Sequence, residues 1–264
     1  MNDALARLPD GFHQLHLAQG RPVIAKVRRG AAPGFFDAEA RGLASLRGAH
    51  ALRVPEVLAV AAHGILLEDL GSGRPRREDW ERAGAGLARL HRTVAKSFGF
   101  DSDGWCGDSP QDNTRSPDGH AFFAERRLRA QAARARANHL LDDSDSRRID
   151  RLCERLSDLI PGAPAVLVHG DLWRANLYAC ANGELALIDA GAVHHGWAEA
   201  DLAMLTLFGE PPAEFFAAYQ TEAGIDAGWR ERAPIFNLYH LLNHLNLFGR
   251  AYLGSVRAIL QRYG

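Results

Sequence analysis

Three polar side chains near the middle of the chain have the types and spacing that phosphoryl transfer requires. Asp171 lies in the segment His-Gly-Asp-Leu-Trp, Asn176 follows five positions later, and Asp189 ends an apolar run. A carboxylate such as Asp171 can orient and deprotonate an attacking hydroxyl, while an amide oxygen and a second carboxylate can hold Mg²⁺ against nucleotide phosphates. The pattern therefore predicts a phosphotransferase. Such residues also cap turns and end strands, and that alternative stays open for each one taken alone.

The segment between Asn176 and Asp189 predicts a β-hairpin. Two short apolar-rich runs, 177–181 and 184–188, flank the dipeptide Asn182-Gly183, the strongest short-range hairpin signal. With a two-residue turn, Asn176 and Asp189 would lie directly opposite each other, with Cβ atoms about 4.5–5.5 Å apart. Their oxygens could then share one cation. A three-residue turn with a bulge would shift this register by one residue.

Lysine is scarce in this chain. Of 31 lysines and arginines only two are lysines, Lys26 and Lys96. Lys26 lies in the apolar strand pattern 22–27, where a compact ammonium can reach phosphates that a guanidinium would crowd. Thirteen positions later Glu39 lies in a stretch with helical spacing. A strand lysine paired with a helix glutamate positions the α- and β-phosphates in kinases, so we predict this pair; a surface lysine and a solvated glutamate are the alternative.

The elements that position these side chains fall into two unequal parts, which predicts an α+β fold. Up to residue 70 the patterns predict a small β-sheet with one helix: strands at 13–17, 23–27, 56–61 and 65–67, and a helix at 35–47. Residues 68–75 are rich in Gly, Ser and Pro, which predicts a hinge. The backbone from Glu68 to Leu70 could hydrogen-bond an adenine there, although a plain loop is equally consistent.

The remainder of the chain is predicted to be mainly helical. We expect helices at 77–95, with Val94 among the core-facing residues, at 121–138, and from 198 to the end. Residues 98–117 lack periodicity and are predicted to form an ordered loop. The basic run at 125–136 predicts a solvated helix face rather than a nucleic-acid surface. The domain prediction is thus a nucleotide-binding lobe at 1–70 and a catalytic and substrate lobe at 76–264.

Composition excludes several classes of protein. The 264 residues suffice for one large domain or two lobes, and a formal charge of -1 argues against a nucleic-acid binder. No apolar run is long enough to span a membrane, and Met-Asn-Asp-Ala is not the charged start of a signal peptide. Three scattered cysteines predict reduced thiols. We therefore expect a cytoplasmic protein, a monomer, that binds neither nucleic acid nor membrane.

Other chemistries have weaker support in the sequence. There is no phosphate-cradling Walker motif, no complete dinucleotide fingerprint and no Gly-x-Ser-x-Gly elbow. His240 and His244 could share one helix face at a spacing that serves zinc sites, but no third ligand is evident. Buried polar packing or substrate-facing contacts are the favoured interpretation of these two histidines.

Several motifs together resemble the fructosamine (ketosamine) kinase family. They are Val168-His-Gly-Asp-Leu-Trp173 with Asn176, then Ile188-Asp-Ala190, the block 196–204, and the segment 238–249 (LYHLLNHLNLFG) near the C-terminus. The resemblance runs from about residue 20 to residue 261. His-Gly-Asp with a downstream Asn and Asp is shared by all aminoglycoside-phosphotransferase-like kinases, whereas the Asp-Leu-Trp and the C-terminal segment narrow the resemblance to one family.

The resemblance implies a two-lobed, protein-kinase-like fold that uses ATP and Mg²⁺. Members phosphorylate a sugar hydroxyl of free or protein-bound ketosamines, and the unstable product then releases the amine, which repairs glycation. Position by position, Asp171 would be the catalytic base, Trp173 a face for the sugar, and the remaining site residues would bind nucleotide or metal. Those are Lys26 and Glu39 for phosphate, Glu68 and Leu70 for adenine, and Asn176 and Asp189 for Mg²⁺.

The chain also departs from the family pattern. Only seven residues precede Leu8, so we expect the loop that covers the phosphates to be shortened or altered. Ala190 replaces the proline usual after the second metal-binding acid. An aminoglycoside or choline-like amino-alcohol phosphotransferase, or a nucleotide-binding protein with little catalysis, are the alternative functions.

Overall fold

The computed structural model describes Leu5, residues 7–18 and residues 20–264. The described chain divides into two compact units, each built from three stretches of sequence. The first, which we call the sheet unit, takes Met1–Thr93, Arg174–Val193 and Pro211–Gly224, and the second, the helical unit, takes Val94–Trp173, His194–Glu210 and Ile225–Gly264. A lobe boundary at 68–75 stays a prediction. Residues 1–4, on which the absence of a signal peptide is predicted, lie outside the described residues.

A four-stranded antiparallel sheet dominates the sheet unit. Its strands are β1 (Gly11–His16), β2 (Pro22–Val27), β3 (Val57–Ala61) and β4 (Gly64–Glu68), in the spatial order β1-β2-β4-β3. All four were predicted to within two residues at each end. In β2, Val23, Ala25 and Val27 are buried in an apolar cluster on one face, so Ile24 and Lys26 belong to the opposite face. Because side chains alternate between the two faces of the strand, Lys26 lies on the face opposite the apolar core.

Helix α1 (Phe35–Gly48) packs against β3 and β4. Its buried positions, which include Glu39, Gly42 and Leu46, recur at three- and four-residue spacing along one face. Gly42 permits a close approach: a Cβ built there would lie 1.9 Å from the backbone oxygen of Ala190. The chain directly after Asp189 is therefore packed on the helix face that carries Glu39.

The hairpin before Asp189 has a register one residue away from the two-residue-turn prediction. It pairs β8 (Leu177–Ala179) with β9 (Leu185–Leu187), with Leu177 opposite Leu187. The N–H of Ile188 donates to the backbone oxygen of Asn176 at 3.2 Å. Asn176 thus faces Ile188, and the prediction that it lies directly opposite Asp189 is wrong.

The shift arises from a three-residue turn at 181–183. The N–H of Gly183 donates to Cys180 O at 2.9 Å, and Gly183 then adopts φ +88°, a left-handed conformation that glycine supports. Asn182 Oδ1 accepts from the N–H of Glu184 at 3.0 Å. The glycine therefore serves as the bulge residue of a longer turn and not as the second residue of a tight one.

Helices α2 (Arg77–Leu90) and α8 (Ala213–Ala223) also belong to the sheet unit, and they pack against each other. The helix predicted to continue to residue 95 ends at Leu90, and Val94 is 65% exposed where a core position was predicted. Thr93 N–H bonds to Leu90 O in a tight closing turn, and Val94 forms a β-bridge with Val166. The β-branched pair Thr93-Val94 favours this extended exit.

The helical unit is built around one long helix, α9 (Trp229–Phe248), which contacts helices on several sides. Its other helices are α3 (Gly119–Phe123), a π-helical turn (Ala124–Arg129), α4 (Ala130–Ala137), α5 (Asp143–Glu154), α6 (Leu156–Leu159), α7 (Ala198–Met204), a 3₁₀ turn (Arg250–Tyr252) and α10 (Leu253–Tyr263). Two small antiparallel pairs join them, β5 (Gly104–Cys106) with β6 (Ser109–Gln111), and β7 (Val166–Val168) with β10 (His194–Gly196). The loop predicted at 98–117 therefore contains a short hairpin.

One arginine of the basic run is buried, contrary to the prediction of a solvated face. Arg127, in the π-helical turn, is 1% exposed, and it donates to Asp112 O at 2.7 Å and to Asn113 Oδ1 at 2.8 Å. Its guanidinium also lies 4.5 Å from the centre of the Phe122 ring. Burial lowers the pKa of Arg127.

Within the described part of the chain, no helix has the length and apolar character needed to cross a bilayer.

Substituting Gly42 tests the close approach between α1 and the Asp189 segment. We expect Gly42→Ala to lower the free energy of unfolding by about 1–3 kcal/mol, because the added methyl group meets the Ala190 carbonyl. Gly48→Ala is the matched control in the same helix, since a Cβ there meets nothing within 4 Å; it should stabilise by roughly 0.4–1 kcal/mol. Urea denaturation measures both, and equal effects of the same sign would contradict this packing.

Candidate active site

One ammonium group in the sheet unit binds two carboxylates. Lys26 Nζ lies 2.8 Å from Glu39 Oε2 and 2.7 Å from Asp189 Oδ1. The predicted strand-lysine to helix-glutamate pair is therefore confirmed as a contact. Burial by itself lowers the pKa of Lys26, but coulombic attraction to Glu39 and Asp189 outweighs it, so the net pKa is raised. Lys26 is thus a fixed positive charge at neutral pH.

The three charged groups differ in their exposure to solvent. The Glu39 side chain is 3% exposed and that of Lys26 17%, whereas the side chain of Asp189 is 57% exposed. Burial raises the pKa of the Glu39 carboxyl, and the nearby ammonium opposes this shift. Glu39 therefore supports the lysine from the protein interior, while Asp189 stays accessible to a ligand.

The backbone at Asp189 is held in an uncommon conformation. Its φ is +60°, in the left-handed region that aspartate tolerates better than most residues. The next residue, Ala190, is fully buried against Gly42 of α1. Such positions persist only where the surrounding structure fixes them, and they are concentrated at functional sites. The sharp exit from the hairpin allows Asp189 to reach Lys26.

An apolar cavity of about 300 Å³ adjoins these charges within the sheet unit. Ile24 and Leu67, which pair directly across β2 and β4, line it together with Tyr178 and Ile188 of the hairpin. Lys26, Glu39 and Asp189 also contribute to its lining. A cavity with aliphatic walls and a cation at its polar end suits a flat base joined to an anionic chain. Its apolar walls were not predicted from the sequence, because they come from separate strands.

The predicted adenine contacts, Glu68 and Leu70, also line this cavity. The Glu68 carboxylate accepts from the Arg53 guanidinium and, at 3.1 Å, from the N–H of Glu56. Because its side chain is engaged in this way, Glu68 would offer a ligand its backbone. Leu70 O accepts from Ala181 N–H at 2.9 Å, which ties the segment to the β8–β9 hairpin.

Asn176 and Asp189 supply oxygen atoms near the open end of the β8–β9 hairpin. Asn176 is 4% exposed, and Asp189 immediately follows its cross-strand partner Ile188. Diagonal neighbours across two strands remain within reach of a shared ligand. One carboxylate oxygen of Asp189 bonds to Lys26. An amide oxygen and a carboxylate are hard ligands of the kind that Mg²⁺ selects, so this donor set fits that ion despite the shifted register.

In the helical unit, Asp171 lies in a loop whose backbone is anchored by Asp201. The N–H of His169 donates to Asp201 Oδ2 at 2.8 Å, and the N–H of Gly170 donates to Asp201 Oδ1 at 2.9 Å. Asp201 is 1% exposed, and Gly170 adopts φ +81°. One buried carboxylate thus fixes the two peptide groups before Asp171. No role was predicted for Asp201 from the sequence, where it appeared only as a member of the block 196–204; it lies in the first turn of α7.

Two more polar residues, His240 and Cys106, lie beside Asp171. His240 Nδ1 is 3.7 Å from Asp171 Oδ1 and 3.9 Å from Cys106 Sγ. Burial lowers the pKa of His240 to about 3, so its imidazole is neutral at physiological pH.

Trp173, the predicted sugar-binding face, is 39% exposed. His244 stacks on Phe208 with ring centroids 4.8 Å apart.

Comparisons with known proteins agree along most of the chain. A family model described as fructosamine kinase matches residues 12–263. A probable ketoamine kinase from Synechocystis is 37% identical over 235 residues, which is 86% of this chain and 78% of that protein. The chloroplastic protein-ribulosamine 3-kinase of Arabidopsis thaliana is 33% identical over 251 residues, or 91% of this chain and 75% of that protein.

Solved structures are also similar to this chain. A fructosamine-3-kinase candidate from Thermobifida fusca has a TM-score of 0.88 at 35% identity, covering 95% of this chain and 88% of that chain. An ADP-bound aminoglycoside phosphotransferase has a TM-score of 0.60 at 15% identity, covering 97% and 94% respectively, a likeness of fold alone. The predicted α+β, two-lobed kinase-like fold is confirmed.

Replacing Asp201 tests its anchoring role. Asp201→Asn puts an amide NH₂ against one of two buried backbone N–H donors, so we expect the free energy of unfolding to fall by about 1–3 kcal/mol. Asp158→Asn, at an exposed site in the same unit, is the control and should stay within about 0.5 kcal/mol of wild type. Chemical denaturation of both variants checks this. An unchanged stability of Asp201→Asn would contradict the anchor.

Proposed function

This chain belongs to the fructosamine kinase family, and we propose that it phosphorylates a sugar hydroxyl of ketosamines with ATP as the donor. It is an ATP-dependent phosphotransferase with an alcohol group as acceptor. The observation that carries the proposal is the Lys26–Glu39–Asp189 cluster at the polar end of an apolar cavity. Relatives named ketoamine kinase and protein-ribulosamine 3-kinase support the ketosamine as substrate and glycation repair as the role.

We assign the cavity of the sheet unit to ATP. Adenine would stack against aliphatic walls that include Ile24 and Leu67 and hydrogen-bond to backbone between Glu68 and Leu70. Lys26 would bind the α- and β-phosphates as a compact point charge. Glu39 would keep that ammonium in place, because its buried carboxylate is 2.8 Å away. The cavity volume and the charge at its end support this assignment.

Family membership implies a divalent metal with ATP, and we assign Mg²⁺ to Asn176 and Asp189. The supporting observation is their chemistry, an amide oxygen and an accessible carboxylate beside Lys26. When bound, the ion neutralises charge on the phosphates that are being transferred. Asp189 has a second task in this assignment, because the same carboxylate helps to hold Lys26.

On the acceptor side we assign Asp171 as the general base and Trp173 as a face for the sugar. Asp171 would orient the attacking hydroxyl and take its proton as the bond to phosphorus forms. The anchoring of its loop by Asp201 supports this role, since a base must be held in place. A half-exposed indole ring such as that of Trp173 offers an apolar face to a sugar ring.

The cellular compartment and the oligomeric state are a separate part of the proposal. Cys106, Cys153 and Cys180 are all buried thiols, which supports the cytoplasm, a reducing compartment. A monomer stays a prediction. Aminoglycosides and amino alcohols, the alternative acceptors, have support only from likeness of fold at low identity.

The substrate assignment is tested by an ATP-consumption screen under one condition. The acceptors are ribulosamines, fructosamines, an aminoglycoside and choline, with the glycated substrates supplied both as free lysine adducts and on a protein. We expect turnover with ketosamines. Turnover confined to the aminoglycoside or to choline would overturn the substrate class while leaving the phosphotransferase intact.

Replacing Asp171, the proposed base, should lower turnover without changing the affinity for ATP. We expect Asp171→Asn to lower kcat by about 10²–10⁴-fold, because an amide cannot accept the proton, while ATP affinity measured by calorimetry stays unchanged. Asp158→Asn serves again as the control with normal turnover. An Asp171→Asn variant that retains full ATP-dependent phosphorylation would remove Asp171 from the mechanism.

The two lysines of the chain provide a matched pair for the nucleotide site. We expect Lys26→Met to lower kcat/KM roughly 10²-fold or more, since it removes the fixed charge that faces the phosphates. Lys96→Met, at an exposed position, should behave as wild type. Far-ultraviolet circular dichroism confirms folding of each variant. Equal kcat/KM in the two variants would contradict the assignment of Lys26.

A further inference from the structure

Three side chains of different elements converge in the helical unit at Asp171. They are Cys106 at the end of β5, Asp171 after β7, and His240 in α9, and their ligand atoms all lie within 4.8 Å of one another. Among the described residues, no other set of three His, Cys, Asp or Glu side chains meets this condition. Thiolate, imidazole and carboxylate together are ligands that Zn²⁺ binds in proteins.

The distances suit a tetrahedral ion. Bond lengths of about 2.3 Å to sulfur and about 2.0–2.1 Å to nitrogen and oxygen place neighbouring ligand atoms roughly 3.3–3.6 Å apart. His240 Nδ1 is 3.9 Å from Cys106 Sγ and 3.7 Å from Asp171 Oδ1. Both distances from His240 are within a few tenths of an ångström of this range, and Cys106 and Asp171 have ligand atoms within 4.8 Å of each other. An ion that draws the three side chains together would have three protein ligands, with water as the fourth.

The surroundings of the thiol also favour a metal. Asn243 Nδ2 lies 3.3 Å from Cys106 Sγ and 3.1 Å from Cys106 O, so its amide can stabilise a thiolate and hold the residue in place. Cys106 and His240 are 2% and 4% exposed, whereas the Asp171 side chain is 24% exposed. An ion in solution can therefore reach the cluster at Asp171. The other two cysteines are absent from this cluster.

We propose that Cys106, Asp171 and His240 form an inhibitory Zn²⁺ site. As the sulfur–zinc bond forms, the thiol proton passes to solvent, and a carboxylate oxygen of Asp171 becomes a metal ligand. That oxygen is then unavailable to accept a proton from the sugar hydroxyl. The inhibitory effect rests on the proposed role of Asp171 as the base, whereas binding of the ion does not.

Binding is tested on metal-free full-length protein with Co²⁺ as a spectroscopic probe. We expect one equivalent to bind, with a thiolate-to-cobalt charge-transfer band and the strong visible bands of a tetrahedral site, both displaced by Zn²⁺. Cys106→Ala should lose the charge-transfer band. Cys153→Ala, which removes another buried thiol of the same unit, is the matched control and should keep it. An unchanged spectrum in Cys106→Ala, or no band in wild type, overturns the site.

Inhibition is tested at buffered Zn²⁺ and saturating Mg²⁺ and ATP. Wild type and Cys153→Ala should be inhibited and should recover when a chelator removes the zinc. Cys106→Ala should keep its basal turnover and need at least about tenfold more Zn²⁺ for the same inhibition. Equal inhibition of Cys106→Ala would place the zinc at the ATP-linked metal and overturn the proposal.

A second variant guards against a change in folding. Cys106→Ser keeps the side-chain volume and an acceptor for Asn243 Nδ2 but is a weak zinc ligand, so it should repeat the result of Cys106→Ala. The cobalt spectrum requires no turnover. A protein that binds Co²⁺ as expected but phosphorylates no ketosamine would therefore count against the proposed function and not against the metal site.

Discussion

The sheet unit depends on one ammonium group held between two carboxylates. Placing Lys26 where it is 17% exposed costs solvation energy, and only well-placed opposite charges offset that cost. Glu39 provides one charge from a helix and Asp189 provides the other from the end of a hairpin. Both carboxylates must therefore be held within ion-pair distance of the ammonium. The close packing of Gly42 on Ala190 and the left-handed φ of Asp189 serve that requirement.

The parts of this arrangement that depend on local sequence were predicted. Alternation along β2 separates Val23, Ala25 and Val27 from Ile24 and Lys26, and the spacing of α1 places Glu39 on its buried face. The hairpin itself also followed from its Asn-Gly turn, but its register did not. The same dipeptide suits a two-residue turn or a three-residue turn with a glycine bulge, and only the hydrogen bonds of the folded turn distinguish them.

Contacts between distant segments could not be predicted from one sequence. Arg127 belongs to a run of basic residues, and nothing in that run indicates that this guanidinium would be buried beside Asp112 and Asn113. Cys106 and His240 come together from elements far apart in the chain. His240 and His244, paired on spacing alone, have different neighbours: His240 lies beside Asp171, and His244 stacks on Phe208.

The loop of Asp171 is supported in a different way from Lys26. Asp201 binds the peptide N–H groups of His169 and Gly170, so the position of the Asp171 loop is set through the backbone. A charge pair, by contrast, fixes Lys26 through its own side chain. This difference suits the roles that we propose: a cation that binds phosphate works while paired, whereas a carboxylate beside a strong cationic partner has a lowered pKa and is a weaker base. Anchoring through the backbone orders the loop without adding a charged partner to the carboxylate that we propose as the base.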